Sequence, residues 1–401
     1  MKNNLSILNI GHNYRITGGS DSYMFYLSEL LEEKNINVIP FASANPENIP
    51  SEYDVFFPKD NKNLINYIYN KKAKKNLEKL IEKHSEISLA HLHIYYGKLT
   101  TAILDALQKN KIPIIQSLHE YKLLCPVYTM LSPTGYCDKC KNNKFYNCIT
   151  NKCKKNSYLD SIFVTIESYF SRFNGDIKKI NHFIAVSYFM KSQMLKTGIP
   201  ENKITVIHNF VDTQKFSLRE SYPSNSYYCY FGRIEKNKGL KTLVDAFIKN
   251  GHQLKIAGIG SYKEELLEYC SDNNIENIKF VGQLKNDDLI NFITRSTASI
   301  IPSEWYENCP MSVLESMSLG VPVIGSNIGG IPELINDNYN GYLFESGNIA
   351  SLNEAIQKME NSDKINISVQ ARVSIEENFS KEAHYEKLIN CYEQVLNNEK
   401  R

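Results

Sequence analysis

The sequence predicts an α/β protein made of two doubly wound domains, and three observations carry that expectation. Short apolar runs recur along the chain, each followed by a helical pattern of apolar residues, as in parallel sheets with crossover helices. The alternation lapses between Asn209 and Ser226, where proline, serine and charges mix without periodicity, and then restarts. A length of 401 residues is enough for two domains that each bury their own core. The expected boundaries are a first domain over 1–208 with a cysteine-rich insertion at about 125–153, a linker over 209–226, a second domain over 227–378, and a last segment over 379–401.

Composition narrows the class. Hydrophobic residues make up 42% and charged residues 22%, which is ordinary globular usage, and a net charge of +2 gives no reason to expect a nucleic-acid partner. No run of eighteen apolar residues occurs, so no transmembrane helix is expected. The opening MKNNLSILNIGHN has one lysine and a very short apolar core before Gly11, and it reads as a first strand, not a signal peptide. A cytoplasmic chain follows, with its nine cysteines mostly reduced.

In the first half, Leu5 to Ile10 reads as a buried parallel strand. Gly18-Gly19-Ser20-Asp21 follows, then helical spacing through Tyr23, Leu27, Leu30 and Leu31. Glycines before a helix let backbone N–H groups approach a phosphate, although the strict dinucleotide fingerprint is missing and an ordinary loop fits too. Asn37 to Phe41 and Ile87 to His93 read as further strands. The helix between them carries Lys71, Lys72, Lys74, Lys75, Lys79 and Lys83, which suit either a solvated face or attraction to an anionic membrane surface. Leu99 to Leu107 reads as a helix, and Ile112 to Leu118 as a strand that delivers His119 at its carboxyl end, where open parallel sheets bind ligands. Helix Tyr158 to Phe173, strand His182 to Val186, a helix to Lys196 and strand Ile204 to His208 complete this half.

The second half begins with strand Tyr227 to Phe231 and the loop GRIEKNKGL, which places Arg233 and Lys238 after a strand end. Arginine can fork around diphosphate oxygens while lysine adds a point charge. Strands and helices then alternate to Ala298–Ile301. In IPSEWYENCPMSVLESMSLGVPVI, Pro310 suits the start of a helix whose apolar face is Met311, Leu314 and Met317. Glu307 lies just before that helix and Glu315 on it, so carboxylates stand near a helix N-terminus. On spacing alone, a solvated loop and an ordinary amphipathic helix fit the same residues.

The wording of these stretches is more specific than their spacing. Proline-serine, then glutamate, seven residues, glutamate and serine-methionine-x-x-glycine-x-proline-valine resembles the signature of family-4 retaining glycosyltransferases. Glycine-arginine-x-x-x-x-lysine-glycine resembles that family's phosphate-binding loop, and SLHEYKLLCP its histidine segment. The resemblance covers nearly the whole chain, most specifically Tyr230 to Glu333, and leaves the cysteine insertion outside. It implies two Rossmann-like domains facing across a cleft, the GT-B architecture, with the final helix Lys381 to Leu396 crossing back onto the first domain. It also implies transfer of a sugar, with retention, from a nucleotide-diphosphate sugar to a glycan or lipid-linked glycan acceptor, in the building of cell-surface polysaccharide. His119, Glu307, Arg233 and Lys238 would act on the donor sugar and diphosphate. Gly18, Gly19, Gly282, Asn308, Cys309, Pro310, Met311 and Glu315 would bind the substrate, Glu315 taking the ribose. No catalytic metal is expected, since no Asp-x-Asp triplet is present. Glu120 replaces the usual aspartate, and Asn308-Cys309-Pro310 stands where many members carry glycine or phenylalanine, so the donor sugar stays open. A nucleotide-sugar epimerase and a zinc-dependent binding protein on a transferase scaffold are the alternatives. Location at the inner membrane face, held by the lysine helix and by the helix after Tyr158, accompanies the transferase reading.

Cys137, Cys140, Cys148 and Cys153 are spaced C-x2-C-x7-C-x4-C, which suits a tetrahedral structural zinc site. Disulfides and free thiols are the rivals. Cys125, twelve residues earlier, is left out of the set.

Overall fold

The computed structural model describes residues 5–59, 63–219 and 226–399. Residues 220–225 of the expected linker lie outside the described residues, as do 1–4 of the N-terminal stretch. The chain divides into two compact units: one runs to His208 and resumes at Tyr385, and the other spans Asn209–His384.

Unit 1 holds strands β1 (Ser6–Ile10), β2 (Asn37–Phe41), β3 (Leu89–Leu92), β4 (Ile114–Leu118), β5 (Leu131–Ser132), β6 (Gly135–Tyr136), β7 (His182–Ala185) and β8 (Ile204–Val206). Its helices are α1 (Gly19–Glu33), α2 (Leu64–Ile68), α3 (Lys71–Lys83), α4 (Ala102–Lys109), α5 (Tyr146–Thr150), α6 (Tyr158–Phe173) and α7 (Tyr188–Leu195). The main sheet has the order β2-β1-β3-β4-β7-β8, parallel throughout, and β5-β6 form a separate hairpin. Strands β1 and β4 are buried at every position, because helices cover both faces of the sheet.

Local chemistry explains the helices. Asn70 accepts from the Ala73 N–H and Ser157 from the Asp160 N–H, capping α3 and α6. In α3 the buried residues are Ala73, Leu77, Leu80 and Ile81, one apolar stripe, while Lys71, Lys72, Lys75, Lys79 and Lys83 are exposed. Helix α4 starts at Ala102, later than the expected Leu99, because Thr100 sits at φ 62 and interrupts the turn. The insertion has its own apolar interior in Val127, Met130 and Phe145, so it is less bare than its lysine and asparagine content suggests.

Unit 2 holds β9 (Tyr227–Phe231), β10 (Leu254–Ala257), β11 (Ile278–Gly282), β12 (Ser296–Ile301), β13 (Val323–Ser326) and β14 (Gly341–Phe344). Between and after them come α8 (Leu240–Asn250), α9 (Lys263–Asp272), α10 (Asn286–Thr294), α11 (Met311–Ser318), α12 (Ile349–Asn361), α13 (Lys364–Asn378) and α14 (Lys381–Glu399), the last of which runs from the span of unit 2 into that of unit 1. The sheet order is β11-β10-β9-β12-β13-β14, again all parallel. Tyr228, Leu243, Phe247, Ile256 and Ile300 are among the residues of its core. The α/β class with two doubly wound sheets is the one expected from the sequence.

Candidate functional site

Counted within unit 2, the strand order is 3-2-1-4-5-6, so sheet growth changes direction between β9 and β12. Crevices at such a switch, beyond the carboxyl ends of the strands, are where doubly wound sheets bind ligands. The loop after β9 carries Arg233 and Lys238, and the loop after β12 carries Glu307. The topology therefore brings together segments far apart in sequence.

Backbone contact fixes the two loops against each other. Gly239 has φ +70, and a Cβ there would lie 1.8 Å from the Pro302 carbonyl oxygen. The Glu304 N–H donates to the Asn237 carbonyl at 3.0 Å. Lys238 Nζ then reaches Glu307 Oε1 at 2.6 Å, and Ser303 Oγ donates to the same oxygen at 2.7 Å. The ammonium also lies 4.9 Å from the centroid of the Trp305 ring. Glu307 is held from behind: the Gly330 N–H donates to its carbonyl at 2.7 Å, and a Cβ on Gly329 would come within 2.3 Å of that oxygen. Burial pushes the Glu307 carboxyl up, but the Lys238 charge and the hydrogen bonds outweigh it, and the net shift is downward. Glu307 is a fixed carboxylate paired with a fixed cation.

Glu315 differs. It sits one turn into α11, and among the described residues its carboxylate has no hydrogen-bond partner. Burial pushes it up to about 7. Two acceptor oxygens are thus held near a helix N-terminus with nothing to accept from. Arg233 is exposed on its loop. Pro310 stands immediately before α11 and Met311 opens it. Cys309 is buried, its carbonyl accepting from Asn209 Nδ2 at 2.9 Å, and burial pushes its thiol up to about 12, so it stays protonated. Asn308 lies in the same loop, and Gly282 ends β11 with its carbonyl accepting from the Gly258 N–H at 2.7 Å.

In unit 1 the order within the sheet is 2-1-3-4-5-6, with the switch between β1 and β3. Gly18 precedes α1 and Gly19 opens it. Gly18 has an extended backbone, and a Cβ there would meet nothing within 4 Å. Neither conformation nor packing demands glycine at that position. Nearby, Asp21 accepts from the Thr17 N–H at 3.0 Å and from Asn13 Nδ2 at 3.4 Å, and Lys98 Nζ donates to Asn13 Oδ1 at 2.9 Å.

His119 follows β4 directly and belongs to a stacked set of imidazoles. Its ring centroid is 5.2 Å from that of His93, which is 4.7 Å from that of His91. Asn9 Nδ2 donates to Ser28 Oγ at 2.9 Å and to the Met24 carbonyl, which fixes Asn9 Oδ1 as the acceptor facing His93 Nε2 at 2.7 Å. His93 Nε2 therefore carries hydrogen and its Nδ1 accepts from His119 Nε2 at 3.0 Å. Removal from water pushes His119 down to about 3, so it is neutral. His93 and Asn9 were not foreseen as site residues, although His93 follows β3 just as His119 follows β4.

The sheets and their switch-point loops define a pair of doubly wound domains of the nucleotide-binding type. Comparison with known proteins makes this specific. Residues 17–215 match the model of "Glycosyltransferase Family 4" and residues 213–382 that of "Glycosyl transferases group 1". The chain belongs to the family-4 glycosyltransferases. It is 27% identical over 209 residues to an uncharacterized glycosyltransferase of Methanocaldococcus jannaschii, covering 51% of this chain and 56% of that protein. To the capsular polysaccharide biosynthesis glycosyltransferase CapM of Staphylococcus aureus it is 27% identical over 241 residues, covering 53% and 61%. The matches thus span little more than half the length of these curated relatives. Among solved structures, a glycosyltransferase from Rickettsia africae superposes with TM-score 0.71 at 19% identity, covering 98% of this chain and 99% of the other. Anabaena HepE in complex with UDP and glucose gives 0.66 at 16% identity, covering 97% and 100%. These likenesses show the shared fold.

Proposed function

We propose that this protein transfers a sugar, with retention of anomeric configuration, from a nucleotide-diphosphate sugar to a glycan or lipid-linked glycan during cell-surface polysaccharide synthesis. The observation that carries the reading is the pairing at the unit 2 switch point of a fixed Lys238–Glu307 couple with the partnerless carboxylate of Glu315. A ribose diol supplies two hydroxyl donors, which is what Glu315 lacks. The diphosphate gains negative charge as the glycosidic bond breaks, and Lys238 and Arg233 stabilise it with the help of the α11 N-terminus. Glu307, kept ionised by Lys238, accepts from a sugar hydroxyl and fixes the sugar's orientation. Neutral His119 suits recognition of a hydroxyl, not proton transfer near neutral pH. The leaving diphosphate takes the acceptor proton on the face it departs from, which gives retention. CapM and the amylovoran glycosyltransferase of Erwinia amylovora, by their names, act in polysaccharide biosynthesis, which supports the acceptor class.

A membrane-bound acceptor fits one surface feature. Helix α6 exposes Tyr158, Leu159, Ile162, Ile166, Tyr169 and Phe173, an apolar residue on almost every turn, beside Lys154 and Lys155. Such a helix with nearby lysines suits an anionic membrane surface. Among the described residues no helix is long and apolar enough to cross a membrane.

Thermal-shift screening against a panel of sugar nucleotides tests the donor class. A ligand at a hundred times its Kd should add about 2.7 kcal/mol. No stabilisation by any nucleoside diphosphate or its sugar would contradict the reading.

A further inference from the structure

The cysteine-rich insertion folds five thiols onto one small pocket. Its walls are Cys125, Cys137, Cys140, Cys148 and Cys153, with Leu124, Met130 and Asp138 beside them. They arrive from four separate turns of chain. Cys125 ends the turn after His119, where its N–H donates to the Tyr121 carbonyl at 2.8 Å. Cys137 extends the β5-β6 hairpin, its N–H donating to the Met130 carbonyl at 2.9 Å, and Cys140 follows it. Cys148 lies on α5, and the Cys153 N–H returns to the Cys148 carbonyl at 3.1 Å. The other four cysteines, Cys229, Cys270, Cys309 and Cys391, are buried elsewhere and take no part.

Two further features point to a metal. Tyr128, Met130, Lys152 and Lys155 all hold left-handed backbone without being glycine or asparagine, which costs of order 1 kcal/mol each and needs something to enforce it. Lysines 139, 141, 144, 154 and 155 surround the segment and offset the charge of several thiolates. Among the described residues no three ligand side chains are yet drawn together around one point. Binding therefore requires the sulfurs to turn inward from the wall they already line.

We propose that this pocket is a closed structural zinc site of four thiolates. The buried Cys125, Cys140 and Cys148 supply three of them, and the fourth comes from the rim, where Cys137 and Cys153 are less buried and interchangeable. Thiolates select zinc over harder cations, and four of them leave no open position for water activation. Cys125, which spacing alone sets aside, is thus a ligand. The site ties down the chain six residues after His119, alongside the buried ion pair of Lys122 with Glu167 of α6 at 2.5 Å. The metal assignment does not rest on the transferase reading.

Elemental analysis of full-length protein, purified without a metal-binding tag or chelator, should give about one zinc per chain. Titration with a mercurial should release that zinc, and four of the five thiols should resist alkylation until it leaves, the spare rim thiol reacting first. Cys125→Ser, Cys140→Ser and Cys148→Ser should each lose the zinc, Cys137→Ser and Cys153→Ser should each keep it, and the rim double variant should lose it. Cys270→Ser serves as the folded control. The unmodified protein answers the main question even if a variant does not fold. A metal-free protein with freely alkylated thiols, a Cys148–Cys153 disulfide, or an iron chromophore in place of zinc would each overturn the proposal. Full zinc retention by folded Cys125→Ser would overturn the ligand set.

Discussion

Lys238 Nζ stands 2.6 Å from Glu307 Oε1, joining a loop after β9 to a loop after β12 across sixty-nine residues of sequence. Both side chains keep little surface, so the pair is only lightly screened. Removing one partner leaves the other charge buried. Lys238→Ala should weaken nucleoside-diphosphate binding at least about tenfold, or about 1.4 kcal/mol, and should also lower stability. Glu307→Gln should leave diphosphate affinity within about threefold and cut turnover by about a hundredfold or more. Calorimetry with the free nucleoside diphosphate and initial rates separate the two. Equal affinity losses in both variants would contradict the division of labour.

Glu315 sets a pH dependence whose sign is fixed. Its carboxyl is pushed up to about 7 from an ordinary 4.5, so the stability it contributes is full below about 4.5 and is lost as pH rises through about 7. Glu315→Gln should therefore melt higher than the parent at pH 8, by roughly 1–3 kcal/mol, and alike at pH 4. Nucleotide binding runs the other way. Hydroxyl donors favour the ionised carboxylate, so affinity should rise by up to about tenfold per unit between pH 5 and 7. The Glu315→Gln protein, measured in parallel, carries only the diphosphate's own titration. Identical pH profiles for the two proteins would remove Glu315 from the ribose.

His119, held neutral by burial, should give no limb in the pH–rate profile between pH 5 and 9. His119→Ala should lower turnover by about 10²-fold, with nucleoside-diphosphate affinity changed less than about threefold. A matching loss of nucleotide affinity would place the imidazole's role elsewhere.

How much of this was legible in the sequence varies with the kind of signal. Buried parallel strands such as β1, β4 and β9 announce themselves as apolar runs, and their carboxyl ends located Arg233, Lys238 and His119. Spacing could not show that Glu307 and Lys238 pair, because that contact is made by the strand order and by glycines 239 and 329, where any Cβ would strike backbone. Helices α12 and α13 drew no expectation, and α13 buries only Ile367, Ser368, Ala371 and Ile375, a weak stripe among polar residues. The role of His93 was hidden for a different reason. A histidine on one strand end signals little until its neighbour brings a second one within hydrogen-bond reach. Cys125 likewise lies too far along the chain from Cys137 for spacing to join them.

The apolar stripe on α6 leads to a membrane prediction. Leu159→Ser with Phe173→Ser should reduce binding to anionic vesicles severalfold, since each removes an exposed apolar side chain. Replacing Lys71, Lys72, Lys74 and Lys75 of α3 should mainly weaken the attraction at low salt. Flotation with vesicles of graded anionic content checks both. A parent protein that stays off vesicles, or variants that bind as well as the parent, would return α3 and α6 to ordinary surface roles.

The central claim is retaining transfer from a nucleotide-diphosphate sugar. Its most direct test is proton NMR of the first anomer formed when the protein turns over its donor, with water or an added glycan as acceptor and nucleoside-diphosphate release followed in parallel. The account predicts that the new bond first appears with the donor's own anomeric configuration, and that Glu307→Gln slows its appearance and diphosphate release together. Initial appearance of the opposite anomer, or no release of nucleoside diphosphate from any donor that binds, would contradict it.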